Sequence, residues 1–339
     1  MSEHFFKTLK IERFRGIQSL EIGGFERVNL FVGKNGCGKT SVLEAGFLLS
    51  DIFNPRALIE MQHIRGLVVE DSDDLRDFFY QRNHQKGIEL TVSQVGGRRS
   101  LRITPLAKTS IPGQSPIGIE YDLDVRDKAN KHKDTKHWTK LGNNEFPPSF
   151  GGHAKGSMPS YYMARQGYNH ALVDRMLHVK RKDLLLSTLQ SVDPNVADIR
   201  TSSLSHLVSV DTGPGSFFPI NLLGDGIMRI LNILSSIEFV SNGVLFIDEI
   251  ERGLHVTELE RVWEVILGRS EKANVQVFLT THSADVIKSL RNVLDRKLFS
   301  DSVACYDVVK FEKDDKTRAY RYSSTQLSQA LDSGTDIRL

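Results

Sequence analysis

Cysteine is nearly absent: Cys37 and Cys305 are the only two among 339 residues. Two thiols so far apart supply neither a disulfide framework nor a zinc site, and they suit a reducing compartment. An excess of charge of one sign is also missing. Lys and Arg total 44 against 42 Asp and Glu, a formal net of +2. No global pull toward nucleic acid or a membrane surface follows, and only local patches can supply one. No apolar run approaches the roughly 20 residues of a membrane span. The opening Met1-Ser2-Glu3-His4 lacks the basic-then-apolar pattern of a signal peptide. A cytoplasmic chain with no membrane partner is therefore expected. Internal repeats and sustained heptads are absent as well. What remains is 40% hydrophobic and 25% charged, the balance of a soluble globular protein long enough for one large α/β domain or two ordinary ones.

Against that background one segment stands out. Gly33-Lys34-Asn35-Gly36-Cys37-Gly38-Lys39-Thr40 follows directly on the apolar run Val28-Asn29-Leu30-Phe31-Val32. This is G-x-x-x-x-G-K-[ST] in the order strand, glycine loop, helix that the motif requires. Glycines let successive backbone N–H groups turn inward on a phosphate. A helix over 41–49, opened by Ser41, aims its positive end at the same anion. In this pattern Lys39 lies along the outer phosphates and the Thr40 hydroxyl holds Mg²⁺. A nucleoside triphosphate is the expected ligand. Cys37 sits inside the loop near a helix start, a setting that can lower a thiol pKa. A redox switch and a small filler residue both stay open there.

Gly243-Val244-Leu245-Phe246-Ile247-Asp248-Glu249 reads as a strand buried on both faces and ending in two acids. Beside a phosphate loop, Asp248 belongs to the Mg²⁺ shell and Glu249 is placed to orient or deprotonate an attacking water. A third strand over 275–279 ends in Thr280-Thr281-His282-Ser283, which puts His282 at the ligand edge of a parallel sheet, ready to donate to a γ-phosphate. Farther back, Ile227, Ile230, Leu231 and Leu234 recur at i, i+3, i+4, i+7. A helix is therefore expected to begin just after Gly226, capped by Asp225. Gly224, Asp225 and Gly226 form a second anion-binding helix start. Because residues 33–40 already hold the triphosphate, two readings stand: a capped helix after a turn, or a clamp on the γ-phosphate held by another copy of the chain.

The rest of the chain sets the organisation. Residues 6–11 and 17–22 alternate like strands, 51–82 turn helical and mixed, and 88–125 return to short alternating runs. Residues 126–160 are polar and read as a loop, 172–189 as one or two helices, and 205–310 as a second α/β block. The expected design is α/β, with one nucleotide-binding domain split into residues 1–50 and 201–339 and residues 51–200 inserted as an α+β lobe. Within the lobe, residues 126–140 carry six Lys/Arg, two His and one Trp. That suffices for DNA phosphate contacts and one stacking ring; the other reading is a solvated charge run.

Taken together these residues resemble the head ATPases of the ABC superfamily, in the branch shared by SMC proteins, recombination mediators and OLD-family nucleases. The resemblance covers about 1–50 and 200–339. Leu9-Lys10-Ile11-Glu12-Arg13-Phe14-Arg15-Gly16-Ile17 resembles the first strand and turn of that branch, which implies that Arg13 and Arg15 approach the nucleotide. It also implies that His282 is the switch histidine. Ile250-Glu251-Arg252-Gly253-Leu254-His255 stands where the family has the D-loop, which meets the other protomer. Gly224-Asp225-Gly226 stands where the signature Ser-Gly-Gly is expected. That departure argues against transporter ATPases and resembles a bacterial group of single-chain AAA-type ATPases that accompany phage-defence or toxin-like effectors. Gln62 and Gln166 are candidates for the glutamine loop, and the residues after His282 leave no room for a Toprim domain. The implied fold is an ABC-type P-loop ATPase head with a mixed central sheet and flanking helices. The implied activity is slow hydrolysis of ATP with Mg²⁺ in a head-to-tail homodimer or higher oligomer. The implied role is a sensor or scaffold that controls a separately encoded effector such as a nuclease; a DNA-binding recombination or repair ATPase is the alternative.

Overall fold

The computed structural model describes residues 6–54, 57–67, 73–83, 85–106, 118–126, 131–139, 158–163, 170–179, 181–201, 208–213, 217–296, 302–311 and 315–333. Strands β1 (Phe6–Phe14) and β2 (Ile17–Gly23) form a hairpin, and β3 (Val28–Val32) leads into helices α1 (Lys39–Ser50) and α2 (Ala57–Ile64). Next come β4 (Ile88–Gln94), β5 (Gly97–Leu106), β6 (Gly118–Arg126), β7 (Lys131–Thr139) and β8 (Ser160–Met163). Helices α3 (His170–His178) and α4 (Lys182–Val192) precede a small antiparallel sheet of β9 (Asp198–Thr201), β10 (Val208–Asp211) and β11 (Phe217–Pro219). The chain then runs α5 (Asp225–Phe239), β12 (Val244–Ile247), α6 (Leu259–Lys272), β13 (Gln276–Thr280) and α7 (Ala284–Asp295). It closes with β14 (Val303–Phe311), β15 (Lys316–Ser323) and α8 (Ser324–Asp332).

Two six-stranded sheets organise these elements. One is antiparallel, in the order β2-β1-β4-β5-β6-β7. The other is mixed, in the order β15-β14-β3-β13-β12-β8, with β15 alone antiparallel to its neighbour. Helix α1 lies between them, touching β1, β4 and β5 on one side and β8, β12 and β13 on the other. The inner strands β3, β12 and β13 are buried on both faces because they are apolar at nearly every position, whereas the edge strand β15 is polar and partly exposed. In β3, Phe31 joins the core shared with α1, while Val28, Leu30 and Val32 join the core under α5, α6 and α7. The same alternation splits Phe278 from Val277 and Leu279, and Phe246 from Leu245 and Ile247.

The face toward α1 is unusually aromatic. Tyr306, Phe31, Phe278, Phe246 and Tyr162, one from each of five adjacent strands, stack in a row with centroids 5.2, 6.4, 5.4 and 6.5 Å apart. Strand pairing sets that row, with Tyr306 opposite Phe31 and Phe246 opposite both Phe278 and Tyr162, while Phe31 and Phe278 meet on the diagonal. Offset stacking adds to plain area burial. α1 accommodates it at Gly46, where an added Cβ would lie 2.7 Å from the Phe246 ring. The loop at the start of α1 is thereby seated on a rigid floor.

Several expectations need revision. The polar stretch 126–160 is not simply a loop: residues 131–139 form β7, paired in register with β6 from Gly118↔Thr139 to Arg126↔Lys131. A polar, lysine-rich sequence is compatible with a strand at a sheet edge, where charge deters further pairing. Residues 127–130 and 140–157 lie outside the described residues, as does Gln166. The sheets also run across the boundaries expected at residues 50 and 201. β4 pairs with β1, and β8 pairs with β12 in the mixed sheet. Among the described residues no helix is long and apolar enough to cross a membrane.

Candidate functional site

The loop between β3 and α1 is shaped by its glycines. Gly38 has φ +109° and lies against Ile17, so a side chain there would meet both backbone strain and the Ile17 side chain at 3.2 Å. Lys39 folds over the loop and donates from Nζ to the carbonyls of Gly33 (2.7 Å) and Lys34 (2.8 Å). Lys34, Asn35 and Gly36 are exposed at the tip, whereas Cys37 is buried beneath it. Burial pushes the Cys37 thiol up, with Lys39 only partly opposing. The structure therefore favours the filler reading, since a raised pKa reduces the thiolate that oxidation requires.

The acidic end of β12 meets this loop. Parallel registry of β12 with β13 brings Asp248 beside Thr280, and the α1 start brings Thr40 to the same carboxylate. The Thr40 hydroxyl donates to Asp248 Oδ1 at 3.0 Å, and the Thr280 hydroxyl donates to the same oxygen at 2.6 Å. The Glu249 N–H in turn donates to Thr280 Oγ1 at 2.8 Å. Glu249 adopts φ +50°, a left-handed conformation that costs a non-glycine residue free energy and clusters at functional sites. Its carboxylate is half-buried, 3.9 Å from the Arg252 guanidinium.

Arg229 supports this turn from underneath. It projects from α5, is buried, and donates from Nη2 to the Glu249 carbonyl at 3.1 Å and toward the Asp248 carbonyl at 3.4 Å. Burial lowers its pKa to about 10, with the carboxylates of Glu251, Asp248 and Glu249 offsetting part of that loss. It remains cationic at neutral pH. His282 completes the rim: its Nδ1 lies 3.1 Å from Glu251 Oε1, and its backbone N–H donates to the same oxygen.

Of these groups, Asn35, Gly36, Gly38, Lys39, Thr40, Asp248, Glu249, Thr280 and His282 line one cavity of about 450 Å³, together with Arg15, Gly16, Ser41, Arg65, Leu67 and Asp77. Arg15 and Arg65 share the buried Glu44 of α1, each with a 2.7 Å Nε–carboxylate contact. Burial lowers the Arg15 pKa. In Arg65 burial acts the same way, but the charge and hydrogen bond of Glu44, together with the charges of Tyr162 and Asp248, outweigh it and the pKa rises. Arg13, expected alongside Arg15, is placed elsewhere: its Nε donates to the Gly87 carbonyl and it pairs with Glu89. Gln62 is buried under Arg15 and accepts from it, so it does not line the cavity.

Residues 224–226 lie outside that cavity. The helix they open begins at Asp225, and its cap is Gly224 at φ +100°, with no side-chain cap bond. The expected Asp225 cap is thus corrected, and the exposed Asp225 sits in the first turn, where its charge favours the helix dipole. Gly253 packs near Asp225, and the Glu258 carboxylate rests against Gly226 so closely that a Cβ would collide with both oxygens. Glu258 is held there by the His255 N–H at 2.8 Å, in a capping box that starts the helical turn before α6. Two turns distant in sequence therefore form one surface. Gly226→Ala is expected to cost about 1 kcal/mol by dislodging that cap. In a Glu258→Ala background the same change becomes stabilising by about 0.5–1 kcal/mol, the usual gain of alanine over glycine in a helix. Urea denaturation of the four chains reads this; simple additivity would contradict it.

Sequence reasoning missed Glu44, Arg65 and Arg229, and it named Thr280 and Glu251 only as members of longer segments, with no role of their own. Only Thr280 had an accessible signal, since it ends the strand that neighbours Asp248.

A family model described as "AAA domain, putative AbiEii toxin, Type IV TA system" matches residues 28–288. An "ATP/GTP phosphatase" of Helicobacter pylori is 22% identical over 331 residues, covering 87% of this chain and 90% of that protein. A DNA replication and repair protein RecF of Bacillus thuringiensis is 27% identical over 97 residues, which is 29% of this chain and 25% of RecF. Among solved structures, the SmcHead bound to the C-winged helix domain of ScpA superposes with a TM-score of 0.51 at 10% identity, covering 97% of this chain and 99% of that one.

Proposed function

We propose a nucleotide-driven switch for this chain, which belongs to the AAA-domain family just described and has the P-loop ATPase fold of the SMC/ABC type. One observation carries the reading. A single chain brings the phosphate loop, Asp248, Glu249 and His282 to one cavity, while the helix start at residues 224–226 lies outside it with Asp225 exposed. A second copy, docked head to tail, supplies that helix start to the γ-phosphate.

In this reading residues 33–41 wrap the ATP phosphates, with Lys39 exchanging its loop carbonyls for phosphate oxygens. Thr40 and Asp248 suit Mg²⁺, because a hydroxyl and a carboxylate in contact are hard oxygen donors. When bound, the ion offsets charge on the outer phosphates. Glu249 takes the proton of the attacking water, and His282, oriented by Glu251, donates to the γ-phosphate. Arg15 and Arg65 add positive charge at the far wall. Loss of the γ-phosphate releases the second copy, so nucleotide state becomes the geometry of the pair. Turnover is slow, and the output controls a separately encoded effector, such as a nuclease, in a toxin–antitoxin or phage-defence setting.

Mixing tests the head-to-tail arrangement. Lys39→Ala disables one half of a composite site and Asp225→Arg the other. Each variant alone is expected to release almost no phosphate from ATP, and an equimolar mixture to regain activity, because one intact composite site forms per mixed dimer. A mixture as inactive as its components would place the whole site in one chain.

A further inference from the structure

We propose that Arg65 reads the γ-phosphate from within the same chain. Its two terminal nitrogens contact the phosphate, while Glu44, held by Arg15, aims the guanidinium. The inference rests on the phosphate-loop reading and is independent of the head-to-tail pair.

Both arginines line the phosphate-loop cavity, yet they are engaged very differently. Arg15 serves the fold. Its Nε donates to Glu44 Oε2 at 2.7 Å, and both its Nη groups donate to Gln62 Oε1 at 3.4 Å. Nη2 also reaches Glu44 Oε1 at 3.4 Å, and the guanidinium lies 4.1 Å from the Phe78 ring centroid. With its side chain only 7% exposed, Arg15 has no nitrogen left without a partner. Arg65 is the opposite case. Its Nε donates to Glu44 Oε1 at 2.7 Å, and its side chain is 36% exposed. Among the described residues neither its Nη1 nor its Nη2 makes a hydrogen bond. A guanidinium gripped at Nε presents those two nitrogens as a rigid fork, the geometry that takes two phosphate oxygens.

Charge points the same way. Glu44, itself buried, sets one negative charge against two guanidiniums. The surplus positive charge falls on the more exposed partner, Arg65, at a wall where an anion is expected. Position along α1 decides which phosphate is met. Glu44 follows Thr40 by four residues, so the two share one helix face about 6 Å apart. Thr40 contacts Asp248, and groups that hold Mg²⁺ stand beside the outer phosphates. Against the burial that lowers it, the Asp248 charge is among those that raise the Arg65 pKa, which sets Arg65 at this same end of the cavity. ADP leaves the fork without its ligand, so the contact distinguishes ATP from ADP.

The test is a fluorescence titration of N-methylanthraniloyl-labelled ATP and ADP, with Mg²⁺, against the full-length Glu249→Gln chain that also carries Asp225→Arg. That parent chain neither turns over the probe nor engages a second copy, so both affinities belong to one chain. Adding Arg65→Ala is expected to weaken the ATP probe about 10- to 100-fold, the worth of a charge-assisted contact, and the ADP probe less than about twofold. Arg65→Lys keeps the charge but not the fork, and recovers only part of the loss. Glu44 retains Arg15 in both variants, so the chain stays folded, which thermal melting without nucleotide checks. Glu44→Gln, which weakens the grip on Nε, lowers the preference for ATP in the same direction. An equal loss for both probes, or no loss for ATP, overturns the proposal and leaves the phosphate-loop reading standing. A parent chain that binds neither probe overturns both.

Discussion

Glu249→Gln is expected to slow phosphate release from ATP about 100- to 10,000-fold, the usual contribution of a positioned general base, with nucleotide binding retained. The side chain lines the phosphate-loop cavity, directly after the residue that contacts Thr40. Its backbone is held in a left-handed conformation from both sides, by Thr280 at its N–H and by Arg229 at its carbonyl. Glutamine keeps that shape and loses only the ability to accept a proton. Steady-state phosphate release paired with titration of a fluorescent ATP analogue separates the two effects. A loss smaller than about tenfold would assign proton transfer to another group.

Asp248→Asn is expected to lower Mg²⁺-supported turnover by about 100-fold and to raise the Mg²⁺ concentration needed for half-maximal rate. The buried carboxylate accepts from the hydroxyls of both Thr40 and Thr280. An amide retains an acceptor oxygen, so the local packing survives while the charge facing the ion is gone. The check is a magnesium titration of phosphate release, with melting in the presence of a chelator as the folding control. An unchanged magnesium midpoint would mean that the ion is held elsewhere.

The parts of this molecule that were legible in the sequence share one property: their chemistry is local. The run 28–32 with its glycine loop and following helix, the acids ending 244–249, and the strand before His282 each announce themselves within ten or so consecutive residues, and the structure places them as β3, β12 and β13. Asp248 next to Thr40 also follows, because strands of a parallel sheet deliver their carboxyl ends to one edge. What stayed hidden depends on long-range pairing. β7 is polar because it is an edge, so nothing apolar marks it. β8 is four residues long and gains its place only by pairing with β12. Glu44 looks like an ordinary helix residue until Arg15 and Arg65 converge on it, and Arg229 looks like a helix surface charge until α5 buries it under the acidic turn. The pairing of the 224–226 turn with Glu258 is of the same kind.

The solution mass of the Glu249→Gln chain, measured by light scattering with and without ATP and Mg²⁺, tests the composite site most directly. The substitution should trap ATP while stalling hydrolysis, and the account predicts a mass that doubles only when both nucleotide and metal are present. A monomer under both conditions would contradict it, leaving residues 224–226 as the capped start of a helix and nothing more.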